Sequence, residues 1–126
     1  MSDANRELTD HERRLVRWML EHGSPDAAAL LPQLELAEVT PWRCPCGCAS
    51  INFQIRGKPA APPGVHPIAD FLFGDDETLS GVFVYEKDGI LSGLEVYGLA
   101  GDAPKVLPEP EDLRPFPESA PRVTNG

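Results

Sequence analysis

The sequence predicts an α+β fold in which two N-terminal helices pack on one face of a four- to five-stranded antiparallel sheet, followed by a proline-rich C-terminal tail. Three observations predict it. Apolar residues follow helical spacing near the N-terminus, they alternate with polar residues from about residue 36, and an Asp-Gly turn separates two strand-like runs. Because the helical segment precedes the strands, the helices and the sheet should form separate layers.

The first helix has clear start and stop signals. Thr9 followed by Glu12 matches a capping box, in which a hydroxyl and a carboxylate satisfy free amides at a helix start. The apolar residues that follow keep helical spacing, and Gly23 suits the end of the helix because glycine tolerates a positive φ. We predict a helix over residues 10–22.

A second helix should follow directly. Ser24 is a suitable N-cap, Pro25 fits the first helical turn, and Asp26 complements the positive end of the helix dipole. Pro32 would then end or kink this helix. The helical part of the chain is therefore expected over residues 8–33.

The sheet is expected over residues 35–99. In the strand after the cysteines, Phe53 should face the core, while Asn52 and Gln54 should face solvent. The last two strands flank Asp88-Gly89, a strong hairpin signal, because glycine accepts the left-handed backbone of such turns. In order, the predicted strands lie at about 36–42, 51–56, 68–73, 81–86 and 90–97.

We expect one domain over residues 1–126, with flexible ends at 1–7 and 118–126. Residues 100–117 are rich in proline, which cannot donate to a regular ladder, so this segment should be an extended tail. The apolar residues expected to anchor it are Leu107, Leu113 and Phe116.

The composition is that of a soluble globular protein, and 126 residues suffice to bury a core. Trp18 and Trp42 should be substantially buried, each replacement by alanine costing roughly 3–5 kcal/mol. The 20 acidic and 11 basic residues give a net charge of −9, which disfavours direct nucleic-acid binding and suits a basic protein partner. No apolar stretch approaches the roughly 20 residues that span a bilayer, and no signal pattern begins the chain, so we expect a cytoplasmic protein without membrane contact.

All three cysteines lie within Cys44-Pro45-Cys46-Gly47-Cys48. Zinc binding is one interpretation, in which Cys44, Cys46 and Cys48 are ligands and a histidine or carboxylate completes the tetrahedron. Thiol–disulfide chemistry is a second, although its usual motif is C-x-x-C at a helix N-terminus. In the third, the cysteines are small apolar residues in a tight turn, and no cofactor is bound. The sequence leaves the three open.

Acidic residues form the second candidate site. Asp70 and Glu95 each interrupt an apolar strand and could approach one another across the sheet, and Asp75, Asp76 and Glu77 form an acidic loop. These five are the candidate partner-binding residues, although strand alternation also places such side chains in solvent without a function. The three histidines lack a positioned nucleophile and no catalytic motif is present, so we expect no enzyme.

Three segments carry a resemblance to known proteins: Leu8–Leu15, the run Cys46-Gly47-Cys48-Ala49-Ser50-Ile51, and the stretch from Asp88 to Tyr97. Together they resemble a family of small bacterial proteins of unknown function with this layout. The last stretch, Asp-Gly-x-Leu-Ser-x-Leu-Glu-Val-Tyr, is similar to the final hairpin of some toxin-immunity proteins. The resemblance implies a compact bacterial cytosolic domain and carries over no catalytic residue.

The leading hypothesis is a small, non-enzymatic, acidic protein that binds another protein, in the manner of an immunity protein or inhibitor. Its basis is the net charge, the missing catalytic motif and the resemblance. The alternative hypothesis is a zinc-binding domain built on the cysteine cluster.

Overall fold

The computed structural model of the protein describes residues 5–45, 47–58 and 66–115. These residues form an α+β structure, as predicted. In chain order the elements are β1 (Arg6–Glu7), α1 (Asp10–His22), α2 (Pro25–Ala28), a 3₁₀ helix (Leu31–Leu36), β2 (Ala37–Val39), β3 (Ile51–Ile55), β4 (Pro67–Phe73), β5 (Ser80–Lys87), β6 (Ile90–Gly98) and a second 3₁₀ helix (Pro110–Asp112).

The six strands form one antiparallel sheet in the order β1-β2-β3-β6-β5-β4. The prediction of four to five strands was therefore too low. Arg6 and Glu7, expected in a flexible end, instead pair with Val39 and Glu38 of β2. Two residues are too few for strand alternation to reveal, so only the tertiary register identifies β1.

The β5–β6 hairpin confirms the prediction from Asp88-Gly89. Asp88 has a φ of 54° and Gly89 a φ of 80°, the two positive values that a type I′ turn requires. The two strands pair from Lys87 and Ile90 at the turn onward, which places this hairpin inside the sheet between β3 and β4.

Helix α1 begins and ends where the sequence predicts. The Thr9 hydroxyl accepts a hydrogen bond from the Glu12 amide at 3.0 Å, and the Glu12 carboxylate accepts one from the Thr9 amide at 2.9 Å, which completes the capping box. The reason given for Gly23 was wrong, since its φ is −90°. Glycine is needed there because a Cβ would lie 2.7 Å from the Cβ of Ala69 in β4.

The second helix is shorter than predicted. The Ser24 hydroxyl caps α2 as expected, accepting from the Ala27 amide at 3.3 Å, but α2 is a single turn. Pro32 then lies in the first turn of the following 3₁₀ helix instead of ending helical structure. The helical region thus continues through Leu36, which the prediction had assigned to a strand.

The core lies between the helices and one face of the sheet. Trp18 in α1 meets Phe71 in β4 edge-on, with ring centroids 5.0 Å apart. We call the helix-covered side the inner face and the other side the outer face. Buried inner-face residues alternate along the strands and pack against α1: Phe53, Ile55, Ala69, Phe71, Phe73, Val82, Val84, Leu94 and Val96, against Leu15, Val16, Met19 and Leu20.

Two of the three predicted anchors of the tail contact the core, and the tail contains a short helix that was not predicted. Leu113 is buried and Leu107 packs against the core, whereas Phe116 and residues 118–126 lie outside the described ranges. Beyond the second 3₁₀ helix, Arg114 forms an antiparallel bridge with Leu72 of β4. None of the helices in the described ranges is long and apolar enough to cross a membrane.

Candidate functional site

Two of the predicted partner-binding residues lie on the outer face, on either side of one aromatic ring. Asp70 in β4 is directly opposite Phe83 in β5, and Phe83 is directly opposite Glu95 in β6. Directly opposed residues project from the same face of a sheet, so the three side chains form a row across three strands. The structure thus brings Asp70 and Glu95 to the same surface, separated by Phe83.

The Tyr97 ring joins this row. Its centroid lies 5.9 Å from that of Phe83, and its hydroxyl donates a hydrogen bond to Asp70 Oδ1 at 3.1 Å. Tyr97 belongs to β6 and Asp70 to β4, so the ring crosses β5, where its opposed residue is Gly81. Partial burial and the neighbouring Asp70 charge raise the pKa of the Tyr97 phenol, which keeps it a donor at neutral pH.

A second tyrosine crosses the sheet in the opposite direction. Tyr85 of β5 lies over Gly93 of β6, and its hydroxyl accepts a hydrogen bond from the side-chain Nδ2 of Asn52 in β3 at 3.4 Å. Tyr85 is only 1% exposed and Asn52 only 4% exposed. The prediction that Asn52 faces solvent was therefore wrong, because a large ring covers this part of the outer face.

Sequence reasoning missed these crossings, yet the chain carries a signal for them. The pentapeptides Gly81-Val-Phe-Val-Tyr85 and Gly93-Leu-Glu-Val-Tyr97 share the pattern G-x-x-x-Y. In an antiparallel hairpin, each glycine then faces the tyrosine of the other strand. A missing Cβ on one strand makes room for a ring from its neighbour.

Glu95 differs from Asp70 because its carboxylate has no hydrogen-bond or ion-pair partner among the described residues. Partial burial raises its pKa, because removing water disfavours the charged form. No hydrogen bond or ion pair from another described residue reaches Glu95. At neutral pH, the outer face therefore holds a partly desolvated negative charge beside the Phe83 ring.

The acidic loop is separate from this row. Three residue pairs of the β4–β5 ladder lie between Asp70 and the loop that holds Asp75, Asp76 and Glu77. Asp75 Oδ1 accepts hydrogen bonds from the Thr78 hydroxyl and from the Thr78 and Glu77 amides, at 2.9, 2.9 and 3.0 Å, and these lower its pKa. Asp75 thus organises the loop, while Asp76 and Glu77 are exposed.

Cys44 and Cys48 line one cavity of about 430 Å³, together with Trp42 and Arg43. The Gly47 amide donates to the Cys44 carbonyl at 2.9 Å, which favours the tight-turn interpretation, and Cys46 lies outside the described residues. The Cys48 thiol donates to the Ser50 hydroxyl at 3.2 Å. Ser50 itself is buried.

Metal ligands do not gather in the part of the chain that the structure describes, where no group of three histidine, cysteine or acidic side chains could hold an ion. Each of the three histidines contacts a group other than a cysteine. His11 Nε2 lies 2.8 Å from the Pro108 carbonyl, the His22 ring stacks on Trp18, and His66 pairs with Glu86. Since Cys46 is outside the described residues, zinc binding by the cysteine cluster stays a prediction.

Comparison with known proteins identifies no relative. No family model matches the chain, and searches of curated proteins and of solved structures found no match. The resemblance to small bacterial proteins and to immunity proteins therefore stays an expectation, and the function must be argued from the surface itself.

Proposed function

We propose that this chain is a non-enzymatic binding protein that engages a basic protein partner through its outer face, at the row formed by Asp70, Phe83 and Glu95 with Tyr97 beside it. The immunity-type or inhibitor role expected from the sequence is the form of this function that we favour. The observation that carries the proposal is Glu95, a partly buried carboxylate to which no described residue supplies a cation.

The chemistry of the row suits a lysine or arginine side chain from a partner. Two carboxylates flank an aromatic ring, and a cation above such a ring is attracted both by the ring face and by the charges. The Tyr97–Asp70 hydrogen bond fixes one carboxylate in place, so less side-chain freedom is lost on binding. The exposed Asp76 and Glu77 lie beyond the end of β4 and would speed association through their charge.

The pKa of Glu95 supports the same partner chemistry. A cation placed beside Glu95 would favour the carboxylate and return its pKa toward the ordinary range. Binding would then release protons at mildly acidic pH. Affinity should therefore increase as pH rises through the pKa of Glu95, which lies above its usual 4.5.

A hexa-arginine peptide is a suitable probe, followed by amide NMR shifts of the full chain. We expect the shifts to concentrate at the outer-face positions of β4, β5 and β6. Glu95→Gln and Asp70→Asn should each weaken binding about fivefold, the equivalent of roughly 1 kcal/mol. The acidic-loop variants Asp76→Asn and Glu77→Gln should slow association more than they speed dissociation.

Glu21→Gln is the matched control, since it removes the same charge from an exposed position on α1. Any protein with a net charge of −9 attracts hexa-arginine to some degree, and the control measures that background. Shifts spread evenly over all acidic residues, with Glu21→Gln weakening binding as much as Glu95→Gln, would contradict the proposal.

A further inference from the structure

Two cavities near the cysteines share several lining residues. The larger, of about 430 Å³, is lined by Arg6, Trp42, Arg43, Cys44 and Cys48. The second, of about 360 Å³, is lined by Lys105 and shares Arg43 and Cys48 with the first. Both volumes fall within the range of small-molecule sites. Of the two cysteines that the structure describes, Cys48 lines both cavities.

The charges at these cavities oppose the charge of the whole protein. Arg6 already has a partner, because its guanidinium donates two hydrogen bonds of 2.9 Å to the Glu12 carboxylate. This ion pair also neutralises the charge of Glu12, which lines the second cavity. Arg43 has no ion pair or hydrogen bond with another described residue. The Lys105 ammonium reaches the turn itself, 3.7 Å from the position that a Cβ on Gly47 would occupy. Arg43 and Lys105 thus place two positive charges at the cavities that Cys48 lines.

Cys48 has the surroundings of a reactive thiol. Its side chain is partly exposed, and cations near a thiol favour the thiolate, which is the nucleophile. The Ser50 hydroxyl is 3.2 Å from Cys48 Sγ and donates to the Val96 carbonyl at a long 3.4 Å, so it can turn from that carbonyl to donate to the thiolate. The backbone of Val96 holds Ser50 in place, since its amide donates to Ser50 Oγ at 3.0 Å.

We propose that Cys48 undergoes thiol–disulfide exchange with a small anionic disulfide that binds in these cavities. The Cys48 thiol loses its proton to solvent, and the thiolate attacks one sulfur of the ligand disulfide. A bond forms between Cys48 and that sulfur while the ligand's own sulfur–sulfur bond breaks. The other half leaves as a thiolate and takes up a proton. Cys48 is oxidised to a mixed disulfide and the departing half is reduced.

The charge pattern makes the choice of ligand testable. With a net charge of −9, the protein as a whole should attract a cationic disulfide and repel an anionic one. Arg43 and Lys105 predict the reverse at Cys48. Oxidised glutathione, which is anionic, and cystamine, which is cationic, are therefore opposed probes. We expect faster modification by oxidised glutathione, mapped to Cys48 by mass spectrometry of the full chain under native conditions.

Charge-removing variants distinguish the effect of the nearby cations on the rate from the general reactivity of the Cys48 thiol. Arg43→Gln and Lys105→Gln should each lower the ratio of the glutathione rate to the cystamine rate roughly fivefold, the effect expected for one charge near contact in water. Lys58→Gln and Lys87→Gln remove the same charge at exposed positions outside both cavities and should leave the ratio unchanged. Added salt should reduce the preference.

Three results would each overturn the inference. The first is faster reaction of the wild-type chain with cystamine than with oxidised glutathione. The second is modification at Cys44 or Cys46. The third is a rate ratio that Arg43→Gln and Lys105→Gln leave unchanged. Cys44→Ser leaves Cys48 and both cations in place and should keep the preference. The rate ratio is measured within each variant, so a general change in stability does not imitate the effect.

Discussion

The Tyr97 hydroxyl donates to the Asp70 carboxylate across an intervening strand, at 3.1 Å. This contact exists because Gly81, opposite Tyr97, has no side chain to obstruct the ring. The hydrogen bond joins β6 to β4 directly and holds Asp70 at one end of the proposed binding row. Removing the space above Gly81 should therefore disturb both stability and binding.

Gly93→Ala should be the more destabilising of the two glycine replacements, by roughly 1–3 kcal/mol in urea unfolding, the usual cost of overpacking. A Cβ at Gly93 would overlap Tyr85, which is buried and cannot move aside. Gly81→Ala should cost less, because the partly exposed Tyr97 ring can swing outward, but it should also weaken hexa-arginine binding. Gly101→Ala is the control, since a Cβ there meets nothing within 4 Å. Equal costs at all three positions would refute the crossing argument.

The capping box should make stability depend on pH through Glu12. Burial pushes the pKa of Glu12 up, but hydrogen bonds from Arg6 and Thr9 outweigh this and lower it from 4.5. A carboxyl group with a depressed pKa in the folded state stabilises it fully above the unfolded value, and this is lost as pH falls below about 4.5. Thermal unfolding from pH 7 to pH 3 should show this loss.

Glu12→Gln should flatten that profile, and Thr9→Ala should cost about 1 kcal/mol at neutral pH as a lost N-cap. The exposed Glu21 on the same helix gives the comparison, since Glu21→Gln should leave the acid limb of the profile unchanged. Parallel profiles for Glu12→Gln and the wild type would mean that another carboxylate controls acid unfolding.

The two tryptophans should differ in their contribution to stability. Both are only partly buried, contrary to the sequence-based prediction, but Trp18 packs against Phe71 and the core whereas Trp42 lines the cysteine cavity. Trp18→Ala should therefore cost up to roughly 3 kcal/mol, the lower limit for a core tryptophan. Trp42→Ala should cost less than about 1 kcal/mol in the same urea titration. A larger loss at Trp42 would place it in the core.

Elemental analysis of chain purified without chelator tests the zinc hypothesis. We expect no stoichiometric zinc and no change in melting temperature with chelator, because the histidines contact other groups and no three ligand side chains gather among the described residues, carboxylates included. Zinc near one equivalent, with thiols protected from titration, would instead support a site at Cys44, Cys46 and Cys48, since metal binding free energy becomes folding free energy.

The sequence predicts those elements that local chemistry determines. Thr9 and Glu12 start α1, and Asp88-Gly89 closes the β5–β6 hairpin, because capping and positive-φ turns depend only on nearby residues. β1 was missed because its two residues become a strand only through pairing with β2. The 3₁₀ helix was missed because proline was taken to end helical structure, whereas it is tolerated in a first turn.

The candidate site was predicted only in part. Asp70 and Glu95 stand out as polar residues within apolar strands, and register does place them on one face. Whether a given alternating residue meets solvent depends on what covers that face. Asn52 was assigned to solvent because it alternates with apolar residues along its strand. The Tyr85 ring nevertheless covers it, from a position 33 residues away in the chain. Strand periodicity contains no such information.

The pairing of Arg114 with Leu72 has a further consequence for how the protein behaves at high concentration. Strand β4 is the last strand of the sheet, and an open last strand can recruit a strand from another molecule and begin aggregation. Two backbone hydrogen bonds of 2.8 and 2.9 Å occupy Leu72, and the Arg114 guanidinium donates to the Gly74 carbonyl at 2.9 Å. The C-terminal segment thus covers part of this edge, and we expect a chain cut before Arg114 to self-associate more readily because that part of β4 would be open.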